Sequence, residues 1–421
     1  MNLWIIHHYA TLPNLNGHIR PFRFAQHLKN NGINTTIFAA SYQHFSGENL
    51  IKDKRKYRYK VTGDIPFVFV RTPDGSGGAA RIKNMLAFYK GLFNCADRYA
   101  KKNGKPDMIL ASSPQPFAML AGIQIARKYG IPCICEVRDL WPEAVFKASK
   151  IKEKSLLGKI LTAGEHWMYK HADALVFTKE GDTDYLKEQK WTLIQGGDID
   201  IRKCFYINNG IELAEYEREI TKYIFSDEDL ESDAFKVIYA GAIRPVNNVA
   251  NIIEAAKLLP QDGNIQILIY GDGNQKEELQ KRVQEEKIIN VKFKGFVEKK
   301  YLPYILSRSS VNLLNYSSEN YNWSRGNSSN KLFEYLASGK PVISTVKTGY
   351  SIIEKYQCGL EMARQTPQGL ADAILQIQNM NSIQYQKFCR NAKKGAEEFD
   401  YGKLSLRLLD VITWTRGKRN V

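Results

Sequence analysis

Short runs of strand-forming residues alternate with helix-patterned stretches along the whole 421-residue chain, and no other feature narrows the fold as much. In the first half the strand-like runs are LWIIHH, NTTIFAA, PFVFV, DMILAS, PCICEV, ALVFT and CFYIN. In the second they are KVIYAG, IQILIYG, VKFKG, VNLLNY and PVIST. Helical stretches separate them, two closing on Gly32 and Gly130, a residue that commonly stops a helix. This alternation predicts an α/β fold of two doubly wound sheets. The expected domains are residues 1–208 and 236–400, with an acidic linker or hinge over 209–235. Residues 401–421 are expected to form a helix and basic tail that pack back on the first domain. PDGSGG (Pro73–Gly78) is expected to be a flexible loop.

A chain of this length exceeds one ordinary core, and 43% apolar with 25% charged residues excludes a disordered or fibrous class. The six cysteines lie in apolar runs, and the Cys133-x-Cys135 spacing is that of one strand face and not of a zinc motif, so buried free thiols are expected. MNLWIIHHYA has no basic residues before its apolar run and reads as a first buried strand, not a signal peptide. No window has the apolar length of a membrane span. The net charge of +16 is concentrated early. Residues 1–205 hold 31 Lys and Arg against 18 Asp and Glu, whereas the rest hold 29 against 26. Lys52, Lys54, Arg55, Lys56 and Arg58 crowd around Tyr57 and Tyr59, a pattern that fits either solvated surface or attraction to an anionic partner.

In doubly wound sheets ligands collect beyond strand ends. In the second half, Gly241 ends a strand and Arg244 follows in the loop, where a cation can face a diphosphate. Gly271-Asp272-Gly273 ends the next strand, and after another comes Gly295 with Phe296 and Val297, which could wall a base. The most informative stretch is GNSSNKLFEYLASGKPVI, residues 326–343. Ser329 and Asn330 suit a helix N-cap, Lys331 adds a cation at the positive helix end, Leu332 can pack inward, and Asn327 is counted with them among the donor-binding residues. Glu334, one turn on, can accept both hydroxyls of a ribose.

NKLFEYLASGKPVI closely resembles the nucleotide-binding helix of the retaining GT-B glycosyltransferases of family four, which build bacterial O-antigen, capsule and exopolysaccharide. NLNGHIRPFRFAQHLKNNG, ICEVRDLWPEA, EHWMYKHADALVFT, CFYINNGIE, YAGAIR and YGDGNQKEEL resemble further family segments in the same order. The resemblance implies two Rossmann-like domains facing a central cleft, the first for the acceptor and the second for a nucleotide-sugar donor. It implies that Glu334 binds the donor ribose, that Lys331 and Arg244 neutralise the leaving diphosphate, and that Gly17 lets a first-domain loop approach the phosphates. The chain departs from the family at Gly326, where a Glu is common, at Ala242 and Asn247 in place of Arg and Lys, and at Arg138 in place of a His. Asp139 is the candidate to orient or accept the acceptor proton, with Arg138 holding a phosphate; the alternative is an ion pair between the two that fixes their loop.

The family implies transfer without metal or cofactor. The Asp182–Asp184 and Asp198–Asp200 pairs, away from the donor strands, read as surface acids. The expected donor is a UDP-linked N-acetylated sugar, with GDP-linked fucose or mannose next. The expected acceptor is a lipid-linked saccharide at an anionic membrane, reached from the cytoplasm by a peripheral enzyme. A GT-B sugar-nucleotide epimerase or a phosphorylase is the nearest rival. A nicotinamide enzyme lacks its Gly-x-Gly-x-x-Gly after the first strand, and a nucleic-acid binder lacks a reading module.

Overall fold

The computed structural model describes the chain except for residues 16, 76, 149–150, 320 and 419–421 and the side chain of residue 148. The chain divides into two compact units, Met1–Asn208 with Leu404–Val421, and Asn209–Lys403.

The first unit is built on eight strands: β1 (Asn2–His7), β2 (Asn34–Ala40), β3 (Tyr57–Thr62), β4 (Ile65–Val70), β5 (Met108–Ser112), β6 (Cys133–Val137), β7 (Ala174–Phe177) and β8 (Cys204–Tyr206). Their order is β3-β4-β2-β1-β5-β6-β7-β8, parallel except for the β3–β4 hairpin. β1, β5, β6 and β7 are buried nearly throughout, which explains their uninterrupted apolar runs. In this unit β3 is missing from the expected set, as the strand Gly359–Glu361 is from that of the second unit. Tyr57, Tyr59 and Val61 do alternate with Arg58, Lys60 and Thr62, but the charged residues conceal the period, and the strand lies exposed at the sheet edge. Of the final helix, Tyr401–Gly417, the part from Leu404 belongs to this unit; Leu404, Leu408, Val411 and Ile412 are buried, and Trp414 meets Phe205 edge-on at 5.2 Å. Part of the Pro73–Gly78 loop lies outside the described residues, and a 26-residue helix begins at Gly78.

The second unit has six strands, all parallel: β9 (Phe235–Ala240), β10 (Ile265–Tyr270), β11 (Val291–Gly295), β12 (Val311–Leu314), β13 (Val342–Ser344) and β14 (Gly359–Glu361). The order is β11-β10-β9-β12-β13-β14. The acidic stretch before β9 is not irregular: it carries helices Leu213–Lys222 and Glu228–Glu231. Tyr216 and Leu230 are buried, and Asp227 and Asp229 are held by Lys294 at 2.6 and 2.5 Å, so its acids answer lysines of β11. No described helix is long and apolar enough to cross a membrane.

In both sheets the strand order reverses once, between β1 and β5 and between β9 and β12. Helix N-termini and loops converge beyond the strand ends at such points, making them the expected ligand positions.

Candidate functional site

At the reversal point of the second sheet, the helix Asn330–Ala337 starts beside the ends of β9 and β12. Its apolar face, Leu332, Phe333, Tyr335 and Leu336, is buried. The Tyr335 hydroxyl accepts from the Ala240 N–H at 3.0 Å and thereby ties the helix to the end of β9. Ser329 occupies the N-cap position, but its hydroxyl does not cap the helix as expected; it is hydrogen-bonded to the Tyr316 hydroxyl. The Ser329 N–H is in turn received by Asn327 Oδ1 at 2.8 Å. With no side chain on the first-turn amides, the positive end of the helix is available to an anion.

Lys331 points into this place. Its Nζ lies 3.2 Å from the Tyr239 hydroxyl, 4.7 Å from the Tyr239 ring centre and 5.3 Å from that of Tyr316. Burial pushes its pKa from 10.5 down to about 8, against the partial support of Glu334. A lysine so held is a cation short of counter-charge, which is the state a diphosphate would relieve.

Gly241 leaves room for this lysine: a Cβ on it would lie 2.3 Å from Lys331 Nζ and would displace the ammonium. Gly271 and Gly273 leave room for neighbouring backbone. A Cβ on Gly271 would fall 1.8 Å from the Gly241 carbonyl oxygen, and one on Gly273 2.1 Å from that of Ile243. These glycines let the two strand-end loops pack on each other. Asp272 is exposed and accepts from the Gly273 N–H at 2.8 Å. Arg244 is exposed; its carbonyl accepts from the Asn247 N–H at 2.9 Å, and its guanidinium has no hydrogen bond or ion pair among the described residues. Asn247 is buried and donates to the Ala242 carbonyl at 2.7 Å, an amide bracing the loop where the family carries a lysine.

Glu334 is largely buried, and its Oε1 lies 3.4 Å from Lys299 Nζ. Lys299, four residues after Gly295, was not anticipated; the only signal was its place in the loop after β11. Tyr216 is a second addition. Its hydroxyl is buried without a hydrogen-bond partner, and its pKa is raised by burial and then by the charge of Glu334. Phe296 is 67% exposed and Val297 partly so, leaving a free aromatic face after β11. Gly326 adopts φ +108, in the region that favours glycine.

At the reversal point of the first sheet, Arg138 is buried and donates through Nη1 to His7 Nε2 and His18 Nδ1, both at 3.0 Å. Burial first, then the Arg138 charge, holds the His18 pKa at about 3 and the His7 pKa far below the usual range, so both rings accept as neutral imidazoles. Gly17, beside His18, has φ +147, and a Cβ there would meet the Thr11 methyl at 2.6 Å. Asp139 is exposed and pairs with no described residue; the alternative of an Arg138–Asp139 ion pair is not what the structure forms. Behind them lies a network absent from the sequence reading. Arg20 Nε donates to Glu136 Oε1 at 2.8 Å, its Nη2 to the Ile207 carbonyl at 2.8 Å, and its Nη1 to that of Asn208. The Ser112 hydroxyl donates to Glu136 Oε2 at 2.5 Å. Burial would raise the Glu136 carboxyl, but Arg20 and Arg138 hold it below the usual carboxylate range. Nothing in the sequence spacing of Arg20 and Glu136 announces this pair.

Lys52, Lys54 and Lys56 are exposed, and Lys52, Arg55 and Arg58 line a groove of about 420 Å³. Part of that charge is already engaged: Arg55 Nε donates to Asp53 at 2.6 Å, and Arg58 donates to the Leu50 carbonyl at 3.0 Å. Of the paired acids, Asp184, Asp198 and Asp200 sit in ion pairs with Lys187, Lys170 and Arg202, each at 2.8 Å. Asp182 is fully buried, not a surface acid. The described residues contain no group of three or more His, Cys, Asp or Glu placed to hold a metal ion.

Residues 20–192 match the model of the glycosyl transferase 4-like domain, and residues 221–395 that of glycosyl transferases group 1. No curated protein sequence matches the chain significantly. Among solved structures, sucrose-phosphate synthase from Thermosynechococcus elongatus superposes with a TM-score of 0.70 at 15% identity, covering 99% of each chain. Anabaena HepE in complex with UDP gives 0.68 at 14% identity, over 98% of this chain and 99% of its own. WaaG, a glycosyltransferase involved in lipopolysaccharide biosynthesis, gives 0.63 at 14%, over 98% and 100%. At these identities the likeness carries the fold alone: GT-B, with two Rossmann-like domains.

Proposed function

We infer that this chain, which belongs to the GT-B glycosyltransferases, moves a sugar from a nucleotide-sugar donor to a lipid-linked saccharide, retaining anomeric configuration and using no metal. The observation that carries the donor half is Lys331: an under-compensated ammonium beside Gly241 at the start of a helix whose next turn offers Glu334. Lys331, Arg244 and the helix start receive the diphosphate as charge builds on it, Glu334 takes the ribose hydroxyls, and Phe296 with Val297 covers the base. Structures of HepE hold UDP and UDP-glucose, which supports a UDP donor; the preference for an N-acetylated sugar rests on the family resemblance.

In the transfer itself the bond from the anomeric carbon to the diphosphate oxygen breaks as the acceptor oxygen bonds to that carbon from the same face. The acceptor proton passes to a phosphate oxygen, with Asp139 orienting the hydroxyl and Arg138 holding a phosphate. The WaaG description supports a saccharide acceptor in surface-polysaccharide synthesis, and the basic first half supports work at the inner face of an anionic membrane.

The test is calorimetric titration of UDP, GDP, dTDP and their sugar conjugates, without metal, into wild type and Glu334→Ala. Binding of the UDP series that the substitution abolishes is expected. Binding of the GDP series would move the donor to fucose or mannose. Binding that survives in Glu334→Ala would remove the ribose assignment, and a metal requirement would overturn the metal-free mechanism.

A further inference from the structure

The helix Leu156–His171 packs Met168 and Tyr169 on the core but leaves the aliphatic side chains of its first turns outside it. It buries Gly158, Glu165, Met168 and Tyr169, yet leaves Leu156 78%, Leu157 49% and Ile160 58% exposed. Glu165 can be buried because Tyr169 and Tyr185 donate to its two oxygens at 2.6 and 2.7 Å, so the inward face is satisfied and the outward aliphatic face is surplus to folding. Beside that face a groove of about 290 Å³ runs between this helix, Pro116–Tyr129 and Trp141–Ala148, with Phe117, Leu120, Trp141, Ile160, Leu161 and Trp167 in its walls.

The charge in this stretch is mostly positive. Lys147, Lys152, Lys154 and Lys159 are exposed, and Glu153 is the one exposed acid between residues 147 and 164 among those described. The Arg127 guanidinium lies 5.1 Å from the Trp167 ring centre at the groove. A second copy of this chain is a poor occupant, since it would bring these lysines face to face. An anionic bilayer satisfies both features: the aliphatics and groove enter the acyl region, and the lysines remain among the headgroups.

We propose that this groove and its leucine ridge are a lipid-chain site by which the first domain docks on an anionic bilayer. It rests on the lipid-linked acceptor read above only in giving the bilayer a purpose, and it places docking on Lys152–Leu161 instead of Lys52–Arg58. Both segments are exposed, but only the former combines charge with an apolar cavity.

The experiment is co-sedimentation of the full chain with vesicles of phosphatidylcholine, with and without phosphatidylglycerol, and tryptophan quenching by lipids brominated on the acyl chain. Wild type should pellet with the anionic vesicles and be quenched. Leu156→Ser/Leu157→Ser/Ile160→Ser and Lys152→Gln/Lys154→Gln/Lys159→Gln should each bind on the order of a hundredfold more weakly. Since all six side chains are exposed, these variants should melt with the wild type. Lys52→Gln/Lys54→Gln/Lys56→Gln should bind vesicles as wild type does. Vesicle binding unchanged in the leucine and lysine variants, or a dimer formed through this face without vesicle binding, overturns the proposal. Transfer to a water-soluble short-chain acceptor reads the glycosyltransferase assignment separately: it should persist in the leucine variant, and its absence from wild type would count against that assignment and not against docking.

Discussion

Replacing Lys331 with Met separates the cost of this residue from its use. Holding the ammonium where its pKa falls from 10.5 to about 8 costs about 3 kcal/mol of folding free energy near neutral pH. The Tyr239 and Tyr316 rings return about 1–2 kcal/mol by cation–π attraction. Lys331→Met, similar in length and uncharged, should therefore be more stable than wild type by about 1–2 kcal/mol. That corresponds to a rise in Tm of a few degrees, at about 2–4 °C per kcal/mol for a domain of this size. UDP affinity should fall about 10- to 100-fold with the loss of a charge-assisted contact to the diphosphate. The pH dependence checks the cause. Between about pH 8 and 10.5 the unfolded chain carries a proton that the folded lysine has released, so raising pH favours the folded state, and wild type should gain on the variant across that window. UDP affinity of wild type should decline as pH rises through about 8, where the free protein loses the ammonium. Calorimetry with UDP and denaturant melts on both proteins are the assays. A variant destabilised by more than about 1 kcal/mol, with UDP affinity intact, would make Lys331 a structural residue and refute the reasoning.

Gly271→Ala places a methyl 1.8 Å from a carbonyl oxygen on backbone with φ +147, so urea melts should show a loss of about 3 kcal/mol or more. Asp139→Asn should lower transfer from a defined donor by about 100-fold or more while leaving UDP binding in place; an unchanged rate removes Asp139 from the chemistry. Lys299→Ala frees Glu334 from a largely solvent-exposed partner and should tighten UDP binding by no more than about fivefold, whereas weaker binding would make Lys299 a ligand contact. His8 and His18, held near 3 against 6.5 in the unfolded chain, take up protons only on unfolding over that range. The first domain should therefore lose stability progressively as pH falls from 6.5 toward 3, and more gradually in His8→Gln.

The buried strands were legible because burial on both faces leaves continuous apolar runs, as in NTTIFAA and IQILIYG. The helix at Lys331 was legible from its apolar spacing and polar approach. β3 was not, because an exposed edge strand tolerates charge and has only a weak period. The helices before β9 were missed because acids that look solvated in sequence are answered by Lys292 and Lys294 about 65 residues later. Distance along the chain likewise hides Arg20 from Glu136, 116 residues on, and Lys299 from Glu334. The glycines after β9 and β10 were visible, but not their reason: Gly271 makes room for a neighbouring loop whose position no local pattern reveals.

The return of the last helix to the first unit has a consequence for how the protein is made. Leu404, Leu408, Val411 and Ile412 are core residues of a unit whose other residues end at Asn208. On the ribosome, that core must wait through the synthesis of nearly two hundred intervening residues, the entire second unit, before its closing layer emerges. The second unit, contiguous in sequence, can close before the first is complete. Expression of residues 1–208 alone would reproduce the waiting intermediate, with the surface around Phe205 uncovered and prone to aggregate.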